Sequence, residues 1–324
     1  MRIGIVGAGI CGLSAARHLH RDGHAVCVFE KSQGLGGRVA TRRDSGFIWD
    51  TGATSIAPRG KAIEHVLLHE ISTAELIKVE KPIYVHSGLR VSQGHTGGAD
   101  RYTYLRGNTT FAKLLAEDLD VRLNTQVDTI EKLGKGFRIL GEEFDAVILT
   151  APIPQTSLLL WGMGESRPVA NVKYRPCLSV LLGFKAELPP VNYHALLDPD
   201  QVHPMTWLCH ESVKSPGRAP DGCSAMGAQL SAAYSLSHYD MADEKVIQNV
   251  VGFVERLYGS AFDSPIAASV KRWKYSQPEN YASFEHVNQP GARLLVASDA
   301  LLGGHVEDAF EVGTRTAKML VEDV

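Results

Sequence analysis

The chain has 324 residues, of which 44% are hydrophobic and 21% are charged, so it can bury a sizeable core in roughly two domains. Its formal net charge of -3 offers no basic surface for nucleic acid, and no apolar run approaches the roughly 18 residues that a membrane helix needs. We therefore expect a globular protein with no nucleic-acid partner and no membrane association.

Cysteine usage and the amino terminus bear on the compartment. The five cysteines are scattered and odd in number, which is typical of reduced packing cysteines. The first predicted strand begins at Arg2, and no charged leader or cleavage site precedes it. We expect a cytoplasmic protein, or a stromal one if a transit peptide has been removed. The scattered histidines predict no metal site.

The chain begins with the pattern of a strand, a tight glycine turn and a helix. Residues 2–6 form an apolar run, three glycines follow, and residues 13–21 have helical apolar spacing. Gly7 permits the turn, Gly9 lets the backbone approach a pyrophosphate, and Gly12 lets the helix pack closely on the strand. The phosphates of a dinucleotide would meet the amino end of this helix. The predicted phosphate-binding residues are Gly7, Ala8, Gly9, Ile10, Cys11 and Gly12.

A second strand, residues 25–29, ends in an acidic residue about twenty positions after the glycines, where a carboxylate binds ribose hydroxyls. A second glycine cluster with a following arginine comes directly after it. A nicotinamide dehydrogenase does not need this cluster, whereas FAD reaches farther and its phosphates can be clamped from a second side. The sequence therefore predicts FAD. The predicted contacts in this segment are Glu30, Lys31, Gly36, Gly37 and Arg38.

The two glycine clusters together resemble those of the flavin-containing amine oxidase superfamily. The resemblance implies an α/β fold in which a Rossmann-type, glutathione-reductase-like FAD-binding domain carries a second, mostly antiparallel β-sheet substrate domain. It also implies domain boundaries. Residues 1–76, 106–154 and 270–324 would form the discontinuous FAD-binding domain, and residues 77–105 and 155–269 the substrate domain.

Residues 47–56 alternate apolar and polar side chains and then break at a glycine, which predicts a strand that delivers a tight turn. The resemblance implies that Gly52, Ala53 and Thr54 lie close to the flavin ring. An ordinary β-turn is the alternative. Farther along, the pattern predicts a helix at 62–76, short antiparallel strands within 78–104, and a helix at 108–116.

The next predicted strands are residues 121–130, 137–140 and 145–152. The resemblance implies that Val127 presents its backbone to the adenine end of FAD. It also implies that the turn at Ala151 and Pro152 closes near the pyrophosphate.

The predicted second domain contains strands at 177–184, 205–210 and 225–234 and a helix at 242–258. Aromatic and polar residues gather at 207–212 in this domain and at 273–278 just beyond it, and the candidates for the substrate pocket come from these segments and from two further positions. Core packing is the alternative for each aromatic residue, and a surface position is the alternative for the last histidine. The candidates are Trp207, His210, Tyr234, Trp273 and His305.

At the carboxyl end, a strand at 294–297 again points at the start of a helix. The resemblance implies that Asp299 contacts the ribityl chain of FAD. It also implies that the amides of Val306 and Glu307 face the pyrimidine edge of the flavin, where a helix dipole would stabilise negative charge. Ser298 stands where the superfamily usually has glycine.

Within the superfamily, length and motif detail resemble renalases and their bacterial relatives. Those enzymes use FAD to oxidise misreduced 2- or 6-dihydro isomers of NAD(P)H, and they pass the electrons to O2 as H2O2. The sequence has no second glycine fingerprint, so a nicotinamide would be the substrate. Thr54-Ser55-Ile56 replaces the Gln-Tyr that usually follows Gly-Ala, which leaves the substrate class open.

Two other functions therefore compete with the renalase-like oxidase. One is a flavin amine oxidase or a desaturase that acts on another small substrate, and the other is a non-catalytic FAD-binding protein. In each case we expect FAD to be held non-covalently, since no cysteine lies near the Asp299 segment.

Overall fold

The computed structural model describes residues 1–94 and 98–322. The strands, in chain order, are β1 (Arg2–Val6), β2 (Ala25–Phe29), β3 (Thr41–Asp44), β4 (Phe47–Asp50), β5 (Leu76–Lys78), β6 (Ile83–Ser87), β7 (Arg90–Gln93), β8 (Tyr102–Tyr104), β9 (Asp120–Arg122), β10 (Glu131–Leu133), β11 (Gly136–Ile139), β12 (Glu142–Phe144), β13 (Ala146–Leu149), β14 (Tyr174–Phe184), β15 (Ala195–Leu197), β16 (Met205–His210), β17 (Ser224–Leu230), β18 (Ala267–Pro278) and β19 (Leu294–Val296).

The α-helices are α1 (Ile10–Arg21), α2 (Lys61–His65), α3 (Thr109–Leu115), α4 (Ile153–Gly162), α5 (Glu211–Lys214), α6 (Ala232–Ser237), α7 (Asp243–Tyr258), α8 (Phe284–Val287) and α9 (Val306–Glu322). Short 3-10 turns are formed by Gly37–Val39, Ser260–Phe262 and Asp299–Leu301. A π-helical segment, Val66–Glu70, continues α2. Within the described ranges, no helix combines the length and apolar character needed to cross a bilayer.

A five-stranded parallel sheet in the order β19-β13-β1-β2-β9 carries the amino-terminal glycine turn. Its central strands are apolar runs because both faces are covered, and Ile3 and Ile5 of β1 are fully buried. Helix α1 packs on one face, and the three-stranded sheet β10-β11-β12 packs on the other, where the Phe144 ring lies 5.8 Å from the Phe29 ring of β2. Helix α9 lies directly against α1. A Cβ at Gly313 would overlap the Cys11 carbonyl oxygen, so glycine is what permits this close helix crossing.

A seven-stranded sheet in the order β18-β14-β17-β16-β15-β6-β7 forms the second layer, and it is antiparallel except where β15 pairs with β6. Alternating residues of β14 cover its two faces. Leu178 and Val180 pack in a core with Val250 of α7, whereas Leu181 packs with Phe47 and Trp49 of β4. We call these the helix face and the turn face of the second sheet. The predicted α/β fold, with a parallel sheet and a second, mostly antiparallel sheet, is confirmed.

Three predicted elements are corrected by the structure. The strand predicted at 121–130 is limited to β9, because Asn124 takes a left-handed φ of 52° and ends the pairing. The strand predicted at 225–234 ends at Leu230, since the Ser231 hydroxyl accepts from the Tyr234 amide and starts α6. The helix predicted at 62–76 changes to π-helical geometry after His65.

The predicted domain boundary at residue 270 also differs from the sheet topology. Strand β18 starts at Ala267 and pairs with β14 as far as Pro278, so residues 270–278 lie in the second sheet and not with the parallel sheet. Hydrogen bonds to β14 keep residues 270–278 in the second sheet, and a local sequence pattern does not show such pairing. The chain returns to the parallel sheet only after Pro278. The remaining domain boundaries stay predictions.

Candidate functional site

The first glycine turn is built by close backbone approach. The Gly7 amide donates to the Phe29 carbonyl at 2.8 Å, and Gly7 has a left-handed φ of 114°. A Cβ at Gly12 would overlap the Gly7 carbonyl oxygen, which explains the glycine there. By contrast, a Cβ at Gly9 would meet no described atom within 4 Å. The side of the turn at Gly9 is therefore open to a ligand.

The acidic residue at the end of β2 lies against this turn. Glu30 Oε2 accepts from the Ala8 amide at 2.9 Å, and Oε1 accepts from the Ser32 amide at 2.8 Å. A carboxylate has about four lone-pair sites, so two remain for ribose hydroxyls. The Gly36 amide donates to the Ala8 carbonyl at 2.9 Å. The two glycine clusters are thus joined, and the exposed Lys31 lies between them in sequence.

Arg38 and Asp299 are brought together although 261 residues separate them. Arg38 Nη1 donates to Asp299 Oδ2 at 2.7 Å and to the Ser276 carbonyl at 3.1 Å. Asp299 is buried, and its Oδ1 accepts from the Tyr174 hydroxyl and the Ser298 hydroxyl, each at 3.2 Å. Burial raises the pKa of Tyr174, which keeps its phenol protonated as a donor. The serine in place of glycine therefore helps to orient the aspartate.

The turn that follows β4 lies between the two sheets. The Ala53 amide donates to the Arg38 carbonyl at 2.9 Å, and a Cβ at Gly52 would overlap the same oxygen. From the second sheet, Gln229 Nε2 donates to the Gly52 carbonyl at 2.5 Å and Trp273 Nε1 donates to the Thr51 carbonyl at 2.8 Å. The turn is therefore held by both layers.

Four fully buried charged side chains support this turn from behind. Asp50 Oδ2 accepts from Lys214 Nζ at 2.9 Å and from Arg218 Nη2 at 3.1 Å. Glu211 Oε2 lies 2.7 Å from Lys214 Nζ and 3.4 Å from Arg218 Nη1. Burial disfavours the charge on Asp50, but the Lys214 and Arg218 cations outweigh it and hold the Asp50 pKa below its usual value. We call these four residues the buried quartet.

The five pocket candidates do not share one surface. Trp207 pairs with Gln229 and therefore lies on the turn face, as does Trp273, which pairs with Cys177. His210 pairs with Met226 of the helix-face core and contacts the Tyr258 hydroxyl at 2.9 Å.

The other two candidates lie elsewhere. Tyr234 is on α6, where it stacks on His238 at 4.0 Å and accepts from Asn249 of α7 at 2.7 Å. His305 precedes α9, is 56% exposed in its side chain, and pairs with Asp308 at 3.0 Å. The structure thus supports a shared surface for the two tryptophans alone, and it gives His210 and Tyr234 a packing role against α7.

The remaining predicted contacts lie at strand and helix ends. Val127 is buried in a segment without strand pairing, and Ala151 and Pro152 lead into α4. At α9, the first backbone bond described is from Ala309 to the His305 carbonyl, so the Val306 and Glu307 amides have no intrahelical partner. Contacts of these five residues with FAD stay predictions.

The residues present fit FAD. Gly9 leaves open space at the amino end of α1, and the helix dipole and free amides there favour a pyrophosphate. Arg38 keeps 31% of its side chain exposed, and in the described part of the chain only its Nη1 is engaged, so other N–H groups can meet a phosphate.

Several site residues were missed by the sequence-based analysis. Gln229, Asn108 and Lys214 each bond the turn after β4, yet in sequence they occur in a strand pattern, at a helix start and in a mixed polar segment. Tyr174 also gave no signal. The pairing of Asp50 with Lys214 and Arg218 involves residues more than 160 positions apart, and one sequence without an alignment cannot show such a pair.

The comparisons with known proteins agree with this geometry. The sequence profile of the family described as "Flavin containing amine oxidoreductase" matches residues 10–94 and 85–321. The 4,4'-diapophytoene desaturase (4,4'-diaponeurosporene-forming) of Staphylococcus haemolyticus (strain JCSC1435) is 45% identical over 56 residues, which is 17% of this chain and 11% of that protein. The corresponding protein of Staphylococcus aureus (strain Newman) is 41% identical over 56 residues, again 11% of its length. The chain thus spans only about a tenth of these relatives.

Solved structures match over almost the whole chain. Cyclohexylamine oxidase from Brevibacterium oxydans IH-35A has a TM-score of 0.77 and 14% identity, with 99% of this chain and 98% of that chain covered. Wild-type putrescine oxidase bound to putrescine has a TM-score of 0.75 and 14% identity, with 99% of each chain covered. Reduced UDP-galactopyranose mutase has a TM-score of 0.80 and 15% identity, with 99% and 95% covered. At such identities the likeness shows the fold alone.

The profile match covers most of the chain, and it agrees with the two joined glycine clusters, the Arg38–Asp299 pair and the turn held between two sheets. The predicted superfamily is thereby confirmed, whereas the renalase-like subgroup stays a prediction. The chain belongs to the flavin-containing amine oxidoreductases, a family of flavin-dependent enzymes.

Proposed function

We propose that the protein binds FAD non-covalently and is a renalase-like oxidase of 2- or 6-dihydro isomers of NAD(P)H, with O2 as electron acceptor. Bound FAD would supply the hydride acceptor and pass the electrons to O2 as H2O2, while the chain supplies binding and orientation. We further propose a cytoplasmic location, which the free, mostly buried cysteines favour.

The chemistry of the turn face carries the proposal for the donor. Lys271, Ser179, Gln229 and Trp207 are directly paired across adjacent strands and form one row on that face. Lys271 Nζ lies 4.8 Å from the ring centroid of Trp273. This row contains a cation, aromatic surface and no carboxylate. A phosphate-bearing nicotinamide finds complementary groups there, whereas the ammonium of an amine would face the like charge of Lys271.

The number of dinucleotide-binding units also supports a dihydronicotinamide as the electron donor. The sequence has one strand, Gly-x-Gly-x-x-Gly and helix unit, and Glu30 and Arg38 of that unit are assigned to FAD. A dihydronicotinamide would therefore bind as a substrate at the turn face and not as a second resident cofactor.

No cysteine is near Asp299 in the sequence, but the structure brings Cys11 to this segment, and the environment of Cys11 supports non-covalent attachment. Cys11 lies in the first glycine turn, where its Sγ donates to the Ala297 carbonyl at 3.0 Å. Burial raises the pKa of Cys11, so it is held as an unreactive thiol. Acid precipitation of the yellow holoprotein should release the flavin into the supernatant. Colour that stays with the precipitated chain would contradict this assignment.

A flavin amine oxidase or a desaturase is the alternative enzyme, since the family description and the names of the similar proteins include both. A non-catalytic FAD-binding protein is the third possibility. All three share the cofactor site and differ in what reduces the flavin.

Anaerobic stopped-flow absorbance separates the three functions. We expect fast flavin bleaching by the 2- and 6-dihydro isomers, slow bleaching by 4-dihydro NAD(P)H, and peroxide when air is admitted. Lys271→Met should raise the KM for the fast donors, while Lys185→Met, a lysine outside the row, serves as the matched control. Equal, slow bleaching by every isomer together with fast bleaching by an amine would establish an amine oxidase. No bleaching by any donor would favour the non-catalytic protein.

A further inference from the structure

The turn of residues 51–54 has an unusual arrangement of hydrogen bonds. Each of its four successive carbonyls accepts from a side chain of a different part of the chain. The donor and acceptor pairs are Trp273 Nε1 to Thr51 at 2.8 Å, Gln229 Nε2 to Gly52 at 2.5 Å, Asn108 Nδ2 to Ala53 at 2.9 Å and Lys214 Nζ to Thr54 at 2.8 Å. The acceptor side of this turn is therefore fully engaged by protein.

The donor side is engaged only in part. The Ala53 amide donates to the Arg38 carbonyl, but the Gly52 and Thr54 amides have no hydrogen-bond partner in residues 1–94 and 98–322. Within one trans peptide, the C=O and the following N–H point in opposite directions. The Gly52 N–H therefore points away from Trp273 and the second sheet, toward the side on which Ala53 meets Arg38.

The bond from Trp273 also changes the strength of this donor. The Thr51 carbonyl and the Gly52 N–H belong to the same peptide group. A hydrogen bond accepted by the carbonyl polarises the peptide and strengthens its N–H as a donor, and the effect is larger where water is excluded. Thr51 is buried and Gly52 is half-buried, so the Gly52 amide is a polarised donor at a sheltered position.

The buried quartet keeps the turn from shifting. Lys214 donates to the Thr54 carbonyl as well as to the two carboxylates of Asp50 and Glu211. Burial lowers the pKa of Lys214, but those two carboxylates outweigh burial and hold its pKa above the usual value. Asp50 directly precedes the turn, so both ends of the turn are fixed by the same charged group.

We propose that Trp273 is a positioning residue, whose indole N–H orients and polarises the Thr51–Gly52 peptide so that the Gly52 amide donates to the bound flavin. Its ring also lies on the turn face next to Lys271, so one side chain has two separable parts. The ring offers surface to a substrate and the N–H acts on the cofactor. This inference rests on the proposed FAD site and is independent of which donor reduces it.

Trp273→Phe in the full-length, FAD-loaded protein tests the N–H apart from the ring. Trp161→Phe is the control for the flavin readouts, because Trp161 lies on α4, is 80% exposed and belongs to neither the turn nor the turn face. The readouts are the visible absorption spectrum and midpoint potential of the flavin, the Kd for FAD and the Tm of the apoprotein.

For Trp273→Phe we expect a shifted flavin absorption band, a lower midpoint potential and roughly two- to tenfold weaker FAD binding, the size of one lost hydrogen bond. The potential falls because a lost donor destabilises electron-rich reduced flavin more than oxidised flavin. Trp161→Phe should match the wild type in all flavin readouts. Wild-type values for both variants, or equal shifts in both, would overturn the inference.

A second pair of variants applies if Trp273→Phe does not fold. Trp273→Met also removes the indole N–H and keeps an apolar side chain, and Trp161→Met, at an exposed position of α4, is its control. A shifted flavin spectrum in Trp273→Met alone supports the inference, and unchanged spectra in both variants overturn it. If the wild-type protein binds no FAD, the proposed function itself fails, which is a result distinct from equality between the variants.

Discussion

Gly9 and Gly12 are three residues apart in the same turn, yet they are glycines for different reasons. A Cβ at Gly12 would overlap the Gly7 carbonyl oxygen, so the folded chain itself requires glycine there. At Gly9 no described atom lies within 4 Å of such a Cβ. Gly9 therefore serves a ligand and not the fold, which makes the two positions experimentally separable.

We expect Gly9→Ala to fold normally and to bind FAD at least tenfold more weakly, because the new methyl group occupies the space that the pyrophosphate needs. The Tm of the apoprotein should stay within about 2 °C of the wild type, since a surface change of this kind alters stability little. Titration of the apoprotein with FAD, followed by flavin fluorescence, measures the affinity. An unchanged Kd would move the phosphates away from Gly9.

Arg38 gives a second prediction for a single residue. Arg38→Ala should weaken FAD binding by roughly 10- to 100-fold, because a charge-assisted contact is worth about 1.5–3 kcal/mol. Arg42→Ala is the control, since Arg42 is exposed and its ion pair with Asp44 is 3.8 Å long. The buried Asp299 loses its cation in Arg38→Ala, so the Tm of the apoprotein must be recorded as well. Equal FAD affinity in both variants would remove Arg38 from the phosphate clamp.

At the scale of elements, the crossing of α1 and α9 determines how the carboxyl-terminal helix meets the glycine turn. Gly313 lies against the Cys11 carbonyl, and the Ser14 hydroxyl donates to the Phe310 carbonyl at 3.1 Å. The same crossing sets the distance between the amino ends of both helices. A change here therefore alters stability and the geometry of the site together.

Two helical glycines test this crossing. Gly313→Ala should destabilise the protein by about 1–3 kcal/mol, because the added methyl group overpacks the contact between α1 and α9. Gly252→Ala in α7 should be neutral or should stabilise by up to about 1 kcal/mol, since its Cβ would meet only Arg256 Nη1 at an ordinary 3.7 Å. Urea unfolding of the apoproteins measures both. A Gly313→Ala variant as stable as Gly252→Ala would show that the helices can move apart at little cost.

At the scale of the whole molecule, histidine burial on the helix face of the second sheet links stability to pH. Burial lowers the pKa of His210 to about 3 and that of His194 to about 4. Both values lie below the ordinary 6.5, so the unfolded chain takes up protons that the folded chain does not. This contribution to stability is present above pH 6.5 and is lost as the pH falls toward the folded-state values.

One such histidine should reduce the unfolding free energy by about 2 kcal/mol between pH 7.5 and pH 5. His210→Gln cannot titrate and can still bond the Tyr258 hydroxyl, so its loss of stability over this range should be smaller by that amount. Tyr193→Phe, which changes the neighbouring ring without removing an imidazole, should keep the wild-type slope. Parallel slopes for all three proteins would show that His210 is protonated in the folded state at pH 5.

The cofactor-binding segments could be predicted from the sequence because their constraints are local. Gly7, Gly12 and Glu30 occupy positions that a strand, a turn and a helix fix within about thirty residues, and the structure has the predicted elements there. The same holds for β16 and α7, whose apolar periods are strong. The predicted ends of strands were wrong where a single backbone angle or a side-chain hydrogen bond ended the strand, as at Asn124 and Ser231.

The amino-acid sequence by itself determined the dinucleotide turn, the second glycine cluster and the family, since each depends on residue type at short spacing. Only the tertiary structure decided which side chains meet at the turn after β4. Trp273, Gln229 and Lys214 come from separate elements, and the choice between the two faces of the second sheet separates Trp207 from His210. Strand register sets that choice, and register depends on pairing between distant segments, which a local pattern does not encode.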